Sequence, residues 1–271
     1  MEVATMINST LYLREMKKSW KMLLIFAAVL TMYVSIIIAM YDPEMMKTLD
    51  TFNQIMPEMM AAFGMNGMAT SLLGFMVSYL YGFILLIFPM VFSILRGNGL
   101  IAKYTENGAI WVLTAAPVRR MKIVCTQLAV LLSGVFLLMI YTTVLELIVA
   151  GSQFPDEFEV KQLLAVNSGL ISLQMFIAGI CFLSSCIFSD TKYSMAFGAG
   201  IPAFMYVLKM LANVGEKTEA AKYFSFFTLF DGNALIAGET SAIVCTIVLF
   251  AGAVVMYVLG CVIFCRKDMA L

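Results

Sequence analysis

Apolar residues in this chain come in long, nearly unbroken runs divided by short polar breaks. The pattern is neither the three-and-four spacing of a surface helix nor the alternation of a half-buried strand. A bilayer core about 30 Å thick needs roughly 20 predominantly apolar residues per helix. Six runs meet that length: 23–41, 73–95, 123–150, 163–188, 193–212 and 241–265. The pattern predicts an all-α integral membrane protein, a single six-span domain over residues 1–271, with no linker or low-complexity stretch. The first run is longer than a signal-peptide core and no A-x-A site follows it, so it reads as a retained anchor.

Composition agrees. Of 271 residues, 62% are hydrophobic and 13% charged, against about 45–50% and 25% in soluble domains. Lys and Arg number 17, as do Asp and Glu, so there is no net field to hold nucleic acid. The placement of the charges is more telling. Twelve basic residues fall on one side of the predicted spans: Arg14, Lys17, Lys18 and Lys21 before the first, Arg96, Lys103, Arg119, Arg120 and Lys122 after the second, then Lys192, Arg266 and Lys267. Five fall on the other: Lys47, Lys161, Lys209, Lys217 and Lys222. Positive charge stays in the cytoplasm, which predicts cytoplasmic termini and a multi-pass protein of the cytoplasmic (plasma) membrane.

The absence of histidine removes imidazole-based triads and His-dependent metal sites. Cys125, Cys181, Cys186, Cys245, Cys261 and Cys265 lie in or beside apolar runs without CxxC spacing and read as small hydrophobes, not metal ligands. No G-x-x-x-x-G-K-[ST] phosphate cradle exists; Gly215-Glu216-Lys217-Thr218 lacks the upstream glycine. The chain is not expected to be an enzyme, and it carries no cofactor of its own.

Ionisable residues inside membrane spans are costly and mark function, and the predicted spans hold few. Glu146 and Lys209 each sit about a turn from a predicted outer end, open to two readings: snorkelling to the interface, or an outer gate. Ser168 and Ser172, Ala196 and Gly200, Ala199 and Ala203, and Gly252 with Gly260 form small-residue rows that suit close helix packing or a subunit contact. Pro202, after Gly198 and Gly200, predicts a kink.

Three segments outside the spans are informative. Residues 11–21 mix Leu11, Leu13, Met16 and Trp20 with four basic residues, predicting a basic amphipathic helix ahead of the first span. The connection 96–122 carries the apolar stretch 109–116, with Trp111, between Glu106 and the pair Arg119-Arg120. Such a segment needs a surface or a partner to lie on. Residues 223–239 are aromatic around the turn signal Asp231-Gly232-Asn233, which fits a re-entrant or interfacial hairpin over 213–240.

Pro57-Glu58 and Phe63-Gly64, then Tyr104-Thr105-Glu106-Asn107-Gly108, Leu113 and Pro117-Val118-Arg119-Arg120, together with Phe230-Asp231, Leu235 and the Arg266-Lys267-Asp268 ending, resemble the permease subunits of ATP-binding-cassette exporters of the ABC-2 type. Each motif is degenerate, but their joint order covers essentially the whole chain. The chain departs from the family pattern at Asn107, Arg119 and Gln127, where a further acidic residue, Ser and Lys are commoner. The resemblance implies a type V-like fold in which two six-span bundles, a second copy or a paralogue, form a dimer. Each bundle docks a cytoplasmic ABC ATPase subunit that binds the ATP and Mg. Residues 11–21 would be the connecting helix and the stretch around 106–120 the coupling helix, with Glu106, Trp111, Arg119 and Arg120 contacting the ATPase. Tyr79, Tyr81, Phe83, Met205 and Tyr206 are expected along the substrate path, and Glu146, Lys209, Phe230 and Asp231 at an outer gate.

Two other classes compete. An intramembrane protease finds no recognised catalytic set in a chain without His, G-x-S-x-G or G-x-G-D. An ATP-independent carrier or channel is disfavoured by the few charges in the predicted spans. Cargo is not encoded in any motif, although an apolar, Met- and Phe-rich chain suits a hydrophobic or amphipathic molecule such as a drug, lipid or antimicrobial peptide.

Overall fold

The structure, a computed structural model, describes residues 7–42, 55–56, 59, 71–108, 118–155, 158–214 and 222–267. The described residues form helices and turns without a strand: α1 (Ser9–Ala39), α2 (Leu72–Met76), a π-helical stretch (Val77–Ile84), α3 (Leu85–Leu100), α4 (Ala102–Glu106), α5 (Arg120–Gln153), α6 (Val160–Ile187), α7 (Thr191–Val214), a 3-10 turn (Phe226–Leu229), α8 (Gly232–Ile236) and α9 (Thr240–Arg266). Six helical segments are long and apolar enough to cross a membrane, the second running as Leu72–Glu106 through α2, the π stretch, α3 and α4. Helices close their backbone hydrogen bonds internally, as a segment without access to water must.

Side-chain bonds fix the arrangement. The Asn8 backbone N–H donates to Thr126 Oγ1, Tyr12 Oη to Ser133 Oγ, and the Thr31 and Tyr141 hydroxyls meet at 2.6 Å, so α1 and α5 lie side by side and run in the same direction. Near the end where α1 begins, Arg120 donates to the Lys267 carbonyl and the Lys267 ammonium to that of Ile187, joining the start of α5 to the ends of α9 and α6. The described chain thus starts and finishes at one end of the bundle.

The fourth span is the axis. Of its apolar window 78% is buried, against 22%, 22% and 33% for α1, α7 and α9, and α6 packs on α3, α5, α7 and α9. The outer faces of those three less buried helices expose Ile25, Phe204 and Ile247, an apolar exterior that calls for lipid or a partner rather than water.

Two expected boundaries are corrected. The amphipathic stretch 11–21 is not a separate helix: α1 runs unbroken from its Asn8 cap to Ala39. Its inward stripe is Leu11, Glu15, Ser19 and Leu23, at four-residue spacing, while Leu13 and Trp20 face outward. Arg96 does not open a loop, because α3 continues to Leu100 and the chain then bends at Ile101 into α4. Polar residues ended the apolar run on paper; in the bundle Arg96 and Asn98 are buried with partners, so the helix has no reason to stop there.

Both helix-interior prolines among the described residues have cross-helix compensation. Proline removes the donor to the carbonyl four residues earlier. For Pro89 that carbonyl is Leu85, and it accepts from Gln174 Nε2 at 3.0 Å, which also donates to Leu86 at 3.0 Å. For Pro202 it is Gly198, which accepts the Cys181 thiol at 3.2 Å. Gln174 and Cys181 both belong to α6, which thereby supplies the lost bonds in two of its neighbours, α3 and α7.

Candidate functional sites at the two ends of the bundle

Where α1 begins, three elements meet on one carboxylate. Glu15 is fully buried on the α1 stripe, and Arg96 Nη2 donates to its Oε2 at 2.9 Å and to its backbone carbonyl at 2.9 Å. Tyr104 of α4 donates to Glu15 Oε1, and the Lys18 ammonium lies 5.7 Å from the Tyr104 ring centre. Charges taken out of water are tolerated when paired and hydrogen-bonded, and both carboxylate oxygens here have a donor. A second polar link holds α4 from the other side, where the Ala102 N–H donates to Ser185 Oγ; just ahead of it, Ser194 Oγ of α7 donates to Asn98 Oδ1 at the end of α3. α4 is therefore anchored to α1 and α6, and the end of α3 that leads into it to α7.

Of the residues expected to dock an ATPase, Glu106 is exposed at the end of α4 and Arg119 is exposed as the residue preceding α5. Arg120 is exposed as well, but it already donates to the Lys267 carbonyl at 3.1 Å. Trp111 and the rest of 109–117 lie outside the described residues, as do Pro57, Glu58, Phe63 and Gly64. Beside Arg120, the Lys267 ammonium sits against the carbonyls of Ile187 and Cys186, and burial draws its pKa below the ordinary lysine value.

At the opposite end, Tyr81, Glu146 and Asn167 bond to one another. Tyr81 Oη donates to Glu146 Oε2 at 2.7 Å; Asn167 Nδ2 donates to Glu146 Oε2 at 2.8 Å and to Tyr81 Oη at 2.6 Å. All three are buried. Glu146 Oε1 and Asn167 Oδ1 have no hydrogen-bond partner among the described residues. Snorkelling does not describe Glu146: α5 continues to Gln153, two turns past it, and its side chain points into the bundle. The π-helical stretch positions Tyr81. Widening of a helix by one residue per turn recurs at functional sites, and here it precedes Pro89 in the same span.

Tyr81 also lines a cavity of about 380 Å³, together with Lys209, Asn213, Lys222, Phe230 and Asp231. The cap over 222–239 forms one wall. Its 3-10 turn and α8 join at Asp231, whose Oδ1 accepts from the N–H groups of Asn233 and Ala234 as a helix cap. Gly169 of α6 lets this cap down onto the bundle: a Cβ there would lie 2.5 Å from Leu235 and 3.2 Å from Phe230.

The structure thus gathers Tyr81, Lys209, Phe230 and Asp231 at one cavity, with Glu146 immediately behind Tyr81. The other expected path residues do not line it. Tyr79 packs on Phe75, ring centres 4.7 Å apart and tilted by 40°, Phe83 and Tyr206 meet at 6.4 Å, and the Met205 carbonyl accepts from Ser225. Glu15, Asn167 and Gln174 went unnoticed in the sequence, and Arg96 entered it only as a positive charge opening a connection. A signal existed for Glu15, the single acid among four basic residues, in four-residue register with Leu11, Ser19 and Leu23. Among the described residues, no group of three or more His, Cys, Asp or Glu is placed to hold a metal ion.

Compared with protein-family models, with curated proteins and with solved structures, the chain finds no match in any of the three.

Proposed function

We propose that this chain is the permease subunit of an ATP-driven exporter of the ABC-2 type, with both termini cytoplasmic in the plasma membrane. It works as a dimer with a second copy or a paralogue, and each permease is driven by a separate ATPase subunit that binds ATP and Mg. The observation that carries this reading is the tie of Glu15 to Arg96 and Tyr104. It fastens the basic N-terminal helix to α4, the element that leads into 109–117. A force applied by a partner at Glu106, Trp111 or Arg119 then reaches α1 and α3 together. Transmission also requires that the partner bind the two bundle states with different strength, typically by about 1–3 kcal/mol. The exposed row Ala196, Gly200 and Ala203 on α7 offers a close-packing face for the second permease. The cargo is a hydrophobic or amphipathic molecule.

The test is a mild-detergent pull-down of the tagged chain from its native cells, with mass spectrometry of partners and an ATPase assay on the eluate. A co-purifying P-loop ATPase, lost in Arg119→Glu while the permease stays monodisperse, is expected. Clean recovery of the chain without any ATPase, under conditions that keep a known permease complex intact, sinks the proposal.

One observation favours a second reading, an ATP-independent carrier. Glu146 is a buried carboxylate inside a span with an unpartnered oxygen, and such groups serve proton and ion pathways. Transport by the purified chain alone in vesicles, driven by an imposed ion gradient and abolished by Glu146→Gln, would establish it in place of the first.

A further inference from the structure

Next to the polar cavity lies a second, of about 600 Å³, lined by Met205, Tyr223, Phe224 and Phe226. Lys222 and Thr228 line both cavities, so the two share a wall. One compartment is polar and cationic, the other aromatic.

The electrostatics of the polar compartment favour an anion. Its described lining holds two lysines, Lys209 and Lys222, against one carboxylate, Asp231. That carboxylate already serves the backbone as the cap of α8 through its Oδ1. Lys209 lies four residues before Asn213 at the end of its apolar segment, about 6 Å inside it at 1.5 Å per residue. Among the described residues it makes no hydrogen bond or ion pair, and Asp231 acts on it only through the field. A lysine held within a span without such a partner is costly and calls for a counter-charge.

The neighbouring surface supplies the apolar half. Tyr223 is 91% exposed and Phe224 72%. Aromatic residues at the end of a membrane bundle settle at headgroup depth, where acyl chains meet polar groups. Cation, aromatic wall and depth together match one kind of molecule.

We propose that this corner binds an anionic membrane phospholipid, its phosphate between Lys209 and Lys222 and its chains along Tyr223, Phe224 and Phe226. The lipid would brace the cap against α7, since Lys209 and Lys222 belong to different elements. The site does not depend on the export reading, and neither result below bears on whether an ATPase docks at the other end.

Native mass spectrometry of the detergent-purified full chain, titrated separately with phosphatidylglycerol, phosphatidylcholine and dodecyl phosphate, tests it. Phosphatidylglycerol is expected to be retained over phosphatidylcholine, and Lys209→Gln and Lys222→Gln each to weaken it about fivefold. Asp231→Asn keeps a capping side chain at α8 while removing the opposing charge, so it is expected to strengthen retention. That gain is one that a merely unfolded variant cannot mimic. Equal retention of phosphatidylglycerol and phosphatidylcholine, or no response to either Lys209→Gln or Asp231→Asn, overturns the proposal. Dodecyl phosphate binding as tightly as phosphatidylglycerol also overturns the lipid as occupant, in favour of a single-chain anionic amphipath.

Discussion

Glu15 and Arg96 stand 81 positions apart in sequence and meet at 2.9 Å, with 0% and 7% of their side chains exposed. The pair is made twice over, since the same guanidinium nitrogen also holds the Glu15 carbonyl. An ionic contact this dry is fragile to loss of one partner and tolerant of loss of both, because the stranded charge is what costs.

Arg96→Gln alone is therefore expected to destabilise the bundle by about 3–5 kcal/mol. Glu15→Gln in the same chain should restore much of that loss. Thermal unfolding in detergent, followed by size exclusion, reads the difference. A double variant as unstable as Arg96→Gln would show that shape, not charge, holds the two helices.

Gln174 is expected to matter only because of Pro89. Gln174→Leu strands the Leu85 carbonyl inside the bundle, a loss of about 1–3 kcal/mol, whereas the Leu86 carbonyl keeps the Met90 N–H as its helical donor. Adding Pro89→Ala returns an N–H to the Leu85 carbonyl and should recover part of it. Additive losses in the double variant would refute this account.

Tyr81→Phe and Asn167→Leu each remove a donor from Glu146, and their effects on stability are expected to be coupled rather than additive, since both bonds end on Oε2. A double-mutant cycle measures this directly. A coupling energy of zero would mean that Glu146 is satisfied some other way.

Gly169→Val should lift the cap. Leu235 and Phe230 occupy the space its side chain would need, so cleavage by added protease within 222–239 is expected to become faster, with the rest of the bundle intact. Unchanged cleavage would show that the cap is held chiefly by its bonds to α7, such as Ser225 to Met205.

Apolar run length located all six long helices, because the demand for internally satisfied backbone acts locally and leaves a plain record in composition. It misplaced their ends wherever a polar residue is buried against a distant partner. Arg96 looks like the start of a loop until Glu15, on another helix, is known to face it. Glu146 stayed open between an interfacial and a gating reading for the same reason: Tyr81 and Asn167, which keep it inside, are 65 and 21 positions away. Asp231 was legible as a turn because its bonds reach only two and three residues ahead. The cavity was half legible. Lys209, Phe230 and Asp231 were singled out by charge and turn chemistry, whereas the part played by Tyr81 depends on a π-helical stretch that no spacing announced.

The Lys267 ammonium on the Ile187 carbonyl reaches back 80 positions. During synthesis α6, the axis of the bundle, is made first and waits through all of α7, the cap and α9 before its last carbonyls receive that lysine. The carbonyl end of the central helix is thus closed only once α9 lies beside it, so the fastening of α6 depends on the last described helix taking its place.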